Sequence, residues 1–181
     1  MVDLGEPGAG RASIPSEVWA ALLRDEAMRT SYEAKIYRSA GCAHWIGSIS
    51  STGHGNLRVP RAVRRETGGP AVVLAHVYGW QLAHGVIGPR PGEDLVVAHR
   101  CDEPACQRVD HWELIERAVN TADYRARRHR AASPLADVRG VRGRGEAIRA
   151  AILDAQATGA DVEAAITAAK AAGLNEAPGL F

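Results

Sequence analysis

The stretch VVAHRCDEPACQRVDHWELIERAVN, Val96 to Asn120, decides how this chain is read. It gathers His99, Cys101, Cys106, His111 and Asn120 into one short segment. Four residues separate Cys101 from Cys106 and four more precede His111, the spacing of a structural zinc loop. His99 closes the apolar run Leu95-Val96-Val97-Ala98, which reads as a buried strand. Asn120 falls in the first turn of a helix expected to begin near Glu116. A strand-end imidazole facing a helix-borne amide, with a metal loop between them, points to metal-assisted hydrolysis of a phosphodiester.

A structural zinc site takes four ligands, and Cys101, Cys106 and His111 supply three. The fourth is either His99, closing a compact loop, or Cys42, reaching in from an earlier segment. The choice governs the chemistry. A metallated His99 has no lone pair left to accept a proton, whereas a free one can act as a base. Spacing alone leaves the two even.

Working outward toward the start, residues 1–12 are Gly-rich and read as loose. A helical lead, possible interruptions included, is expected from about Ser16 to about Arg38, and Gly41 stops it. Residues 45–50 and 56–59 read as strands joined by the turn Ser51-Thr52-Gly53-His54-Gly55. Arg61, Arg64 and Arg65 then read as a solvated loop or short helix. Residues 71–75 form a further strand candidate, and residues 76–84 a helix closed by Gly85. A Pro/Gly turn over 88–92 leads into the central stretch.

Beyond Asn120 the helix carries Tyr124 and the start of an arginine belt. That belt is Arg125, Arg127, Arg128, Arg130, Arg139, Arg142 and Arg144, opposed only by Asp137. Residues 131–146 read as a basic, Gly-containing linker. Two apolar stripes follow at helical spacing, Ile148, Ala151, Ile152, Ala155 and Val162, Ala165, Ile166, Ala169, which make an αα-hairpin over 147–173. Its Ala-rich helices with acidic outer faces suit packing or dimerisation.

Over 181 residues the net charge is only +1, yet the belt is strongly basic, and local charge matters more to a polyanion than the sum. A single Phe implies a modest core that gains from a metal staple. No basic-then-apolar leader opens the chain and no apolar run is long enough to span a membrane. A cytoplasmic setting is therefore expected, in which clustered thiols bind metal rather than pair.

Taken in order, Cys42 with Trp45-x-Gly47, the Gly53-His54-Gly55 turn, Ala75-His76, His84-Gly85, Val96-Val97-x-His99-x-Cys101-x4-Cys106-x4-His111 and Asn120 form a pattern. From Cys42 to about Arg128 this pattern resembles the HNH (His-Me finger, ββα-metal) endonucleases with a zinc-binding loop, the group that includes the His-Cys box homing endonucleases. The resemblance implies that Cys42 joins Cys101, Cys106 and His111 on zinc. It also implies that His99 is the general base and that Asn120 holds a catalytic Mg²⁺. A hard cation suits the Asn120 amide oxygen, and a neutral imidazole suits proton abstraction. The chain departs from the family pattern at Ala98, where many relatives place Asp, and at Val77 and Asn56, where Arg is common. Arg108, Val109 and Trp112 replace the more usual Asn, Pro and Leu.

The expected fold is α+β: a ββα-metal core with a structural zinc loop, preceded by a small antiparallel sheet and followed by a helical hairpin. The units are a helical lead (1–41), a nuclease-like domain (42–130), the basic linker (131–146) and the hairpin (147–173). The expected function is metal-dependent cleavage of double-stranded DNA. The alternative is a zinc-stabilised DNA-binding module with little or no turnover. Arg58, Arg125, Arg127, Arg128 and Arg130 are the expected DNA contacts, and a homodimer would suit cutting of both strands. His44, His54, His76, His84 and His129 are read as packing or surface residues, His76 as a buried histidine at a helix start.

Overall fold

The computed structural model describes residues 14–88, 92–130 and 133–174; the start over 1–12, read as loose from its sequence, and the middle of the 88–92 turn lie outside them. The expected helical lead is two helices, α1 (Ser16–Arg24) and α2 (Glu26–Glu33), which stop well short of Arg38. Asp25 makes the break. Its backbone is extended and its carboxylate accepts the Met28 N–H at 2.7 Å, capping the second helix. Ile36–Arg38 is instead a strand, β1, whose β-branched and aromatic residues pair antiparallel with β2 (Ala43–Trp45).

The turn at 51–55 forms, but its flanking strands find other partners. β3 (Asn56–Arg58) pairs with β4 (Val72–Leu74), while the segment after Trp45 keeps one isolated bridge, Ile49 to Gly55. The Trp45 indole accounts for this. It lies against Gly47 and Gly55, where an added Cβ would come within 2.6 and 2.7 Å of the ring, and its Nε1 donates to Ser48 O at 3.1 Å. A full hairpin with side chains at those positions would have no room. Trp45, Tyr32 and Tyr78 form the centre of the core with Leu22, Met28 and Leu57.

Helix α3 (Arg61–Thr67) carries the first arginine run, and α4 (Ala75–His84) ends at Gly85, whose φ of 85° needs glycine. The central stretch is an antiparallel hairpin, β5 (Leu95–His99) with β6 (Trp112–Glu116), in which His99 stands opposite Trp112. The cysteine loop is the long connection between them, and α5 (Arg117–Arg127) follows directly. The architecture is α+β, with three two-stranded antiparallel sheets among the described residues. No helix among those residues is long and apolar enough to cross a membrane.

The segment read as a basic linker is largely structured. A 3₁₀ turn over Pro134–Ala136 leads into a 19-residue helix, α6 (Gly140–Thr158), which joins α7 (Val162–Ala171) in the expected hairpin. Arg144 is buried rather than solvated. It pairs with Glu103 of the cysteine loop and with Asp137 at 3.2 Å, and Arg139 adds a second pair to Asp137 at 2.7 Å. Charge neutralisation lets a basic helix enter the interior, and Gly145 brings it close to Ile49 and Gly53. Ile148, Ile152 and Ile166 then pack on Tyr37 and Ile46, so the hairpin's apolar face covers its own chain.

Removing one partner of a buried ion pair strands the other, at a cost of about 3–5 kcal/mol. Arg144→Ala is therefore expected to lower unfolding free energy by about that amount in a urea titration. Burial raises the Asp137 carboxyl, but Arg139 and Arg144 outweigh it and hold its pKa down to about 2. The stability this carboxylate adds is present above its ordinary value of 3.8 and is lost as pH falls through about 2. The gap between wild type and Asp137→Asn should shrink over that window.

Candidate metal centre and adjoining cleft

Cys42 reaches the cysteine loop because β2 runs alongside it. Gln107 N donates to Ala43 O at 2.6 Å, Trp45 N donates to Ala105 O at 3.1 Å, and His44 bridges Cys106. Arg108 fastens the approach from the other side, donating to Ala40 O and Gly41 O at 3.2 and 2.8 Å. These contacts give Arg108 a positioning role that its place in the sequence does not announce.

The ligand atoms of Cys42, Cys101, Cys106 and His111 lie within 4.8 Å of one another, a cluster that could hold a metal ion. His111 Nδ1 sits 3.8 Å from Cys42 Sγ and 3.6 Å from Cys106 Sγ. Cys106 Sγ also accepts the Arg108 N–H at 3.4 Å. Hydrogen bonds from the Cys101 and Cys106 thiols pull Cys42 down, while hydrogen bonding to Cys106 and Cys42, with burial behind it, pushes Cys101 up. Three thiols this close resist ionising together unless a cation joins them.

His99 stands outside that cluster. Its Nε2 lies 3.0 Å from Cys106 O, and because a carbonyl only accepts, Nε2 carries the proton and Nδ1 keeps a lone pair. Burial, then the neighbouring His54, push its pKa down to about 3, so the ring is neutral. The same Cys106 oxygen accepts Trp112 Nε1–H at 3.1 Å.

His99 and Asn120 line one cleft of about 390 Å³, together with His54, Asp102, Tyr124 and Arg127. Asp102 was not singled out in the sequence. It occupies a left-handed turn (φ 57°) just after Cys101, and Asp in such a conformation is the signal that marks it. It is also the partner of Arg127, one of the expected DNA contacts. Arg127 is paired with Asp102 at 2.9 Å and with Asp123 at 3.5 Å, because its place on α5 turns it inward. Arg125, Arg128 and Arg130 are exposed. Arg58, exposed on β3, lines a separate basic hollow with Lys35, Arg61 and Arg64.

His54 and His76 join His99 in a tight cluster, with ring centroids of His76 4.7 Å from each of the other two. His76 is buried, as its helix-start position led one to expect, but its packing partners are imidazoles. Comparison of the chain with protein-family models, with curated proteins and with solved structures returns no match.

A structural metal in a Cys₃His site contributes an apparent ~10–16 kcal/mol, similar to the ~5–15 kcal/mol that holds a domain together. Chelation, or Cys106→Ser, is expected to abolish cooperative unfolding in circular dichroism; chelation should also open all three thiols to a thiol reagent, and Cys106→Ser the two that remain.

Proposed function

We propose that this chain is a metal-dependent endonuclease acting on double-stranded DNA, its fold stapled by one zinc ion. The observation that carries the reading is the division of labour between neighbours. Cys42, and not His99, lies in the four-residue cluster that could hold a metal ion, while His99, with Nε2 bonded to Cys106 O, has Nδ1 left over and lines a cleft with Asn120. The donor set of three thiolates and one imidazole suits zinc. The sulfur–nitrogen separations of 3.6 and 3.8 Å are near the roughly 3.6 Å edge of a tetrahedron built on ordinary zinc–sulfur and zinc–nitrogen bonds.

In this reading His99 Nδ1 accepts a proton from the attacking water, and the Cys106 carbonyl holds the ring in the tautomer that can do so. Asn120, helped by the Asp102 carboxylate across the same cleft, offers oxygen donors suited to Mg²⁺. Bound there, the cation would supply charge neutralisation at the phosphate and the leaving oxygen. Exposed Arg125, Arg128 and Arg130 beside the cleft, with Arg58 in its basic hollow, supply phosphate contacts. The β5–β6–α5 succession agrees with a ββα-metal core. Ala98, which leaves no carboxylate beside His99, favours the second reading, a zinc-stabilised DNA-binding module without turnover.

His99→Ala should fold and lose about 10²–10⁴-fold in Mg²⁺-dependent nicking of supercoiled plasmid. Asn120→Ala should fall comparably. Undiminished cutting by His99→Ala would remove the base assignment, and a gel shift without cleavage in Mg²⁺ or Mn²⁺ would select the binding module. Binding should weaken steeply between low and moderate salt as phosphate contacts release counterions.

A further inference from the structure

The geometry points to a second metal site in this chain, built from His54, His76 and His99 and suited to a borderline transition-metal dication such as Zn²⁺, Co²⁺ or Ni²⁺. Three observations carry it. One ligand atom from each ring lies within 4.8 Å of the other two, on three separate elements: the 51–55 turn, the start of α4 and the end of β5. Each ring is also held by a hydrogen bond that leaves a nitrogen over. His54 Nδ1 meets Thr52 Oγ1 at 2.9 Å, His76 bonds the Val97 backbone, and His99 Nε2 meets Cys106 O at 3.0 Å. That leaves His54 Nε2, His76 Nδ1 and His99 Nδ1. Metal-binding histidines show this arrangement, one nitrogen fixed by an outer partner and the other free to ligate. Finally, His76 Nδ1 is buried with no hydrogen-bond partner, in a residue only 2% exposed. A buried polar atom without a partner calls for a ligand.

Nitrogen donors at a metal distance of ~2.0 Å form edges of roughly 3.3 Å. Reaching that from 4.8 Å asks each ring atom to move by less than about 1 Å. Three imidazoles select Zn²⁺, Co²⁺ or Ni²⁺ over Mg²⁺, and they leave a fourth position for water or substrate. The site shares His99 with the proposed base. Resting on the nuclease reading, occupancy by Zn²⁺ would therefore switch off Mg²⁺-dependent cutting by taking the His99 lone pair.

The test is metal content, independent of activity. Full-length protein carrying one equivalent of zinc is dialysed against Co²⁺ or Zn²⁺, and metal per chain is measured by mass spectrometry. Wild type is expected to hold two equivalents. His54→Ala and His76→Ala should hold one and bind the second at least about 100-fold more weakly, since even outer-shell changes cost 10–100-fold. Should the buried His76 variant fail to fold, the partly exposed His54 variant decides. A wild type that holds one equivalent only, or a second equivalent that survives His54→Ala, overturns the site. Absence of Mg²⁺-dependent cutting by wild type carrying one equivalent of zinc would instead remove the nuclease reading and leave this stoichiometry untouched.

Discussion

One residue, Cys106, ties the Cys/His cluster to the cleft. The sulfur of Cys106 belongs to the four-ligand cluster, while its carbonyl oxygen accepts His99 Nε2–H and Trp112 Nε1–H. The shape of the cysteine loop therefore sets which nitrogen of His99 carries the proton. Since His99 and Trp112 face each other across β5 and β6, the strand register presents both donors to the same oxygen. Loosening the loop would free the ring to turn, and with it the lone pair on which the proposed chemistry relies. Fold and chemistry meet at that carbonyl.

The loop is held from three sides. Backbone bonds from Gln107 and Trp45 join it to β2, Arg108 grips Ala40 and Gly41, and Arg144 reaches from α6 to Glu103. The C-terminal hairpin is thus part of what shapes the loop. Burial raises the Glu103 carboxyl above its ordinary range in spite of Arg144, so the ion pair is costly to bury.

Residues close in sequence were the legible ones. The strand ending at His99, the helix carrying Asn120, the helix closed by Gly85 and the terminal hairpin all follow from local periodicity and turn chemistry. What local pattern could not supply was pairing across distance. β1 was hidden in an apparent helix because its partner lies beyond the Gly41 turn, and β3 was matched to the wrong strand because nothing local reveals how much room the Trp45 indole takes. Arg127 and Arg144 looked like free cations because Asp102 and Glu103, the acids that neutralise them, sit in the loop. His54, His76 and His99 are more than twenty residues apart, so nothing local joins them, and His54 and His76 read singly as packing or surface residues. Spacing also left Cys42 and His99 even as the fourth ligand, since only the run of β2 along the loop brings the Cys42 sulfur in.

The measurement that bears most directly on this account is zinc K-edge X-ray absorption on protein loaded with a single equivalent of zinc. Three sulfur ligands at about 2.3 Å and one nitrogen at about 2.0–2.1 Å are expected, with the signal unchanged in His99→Ala. Two sulfurs and two nitrogens, reverting to a different shell when His99 is removed, would place that imidazole on the zinc and contradict the account.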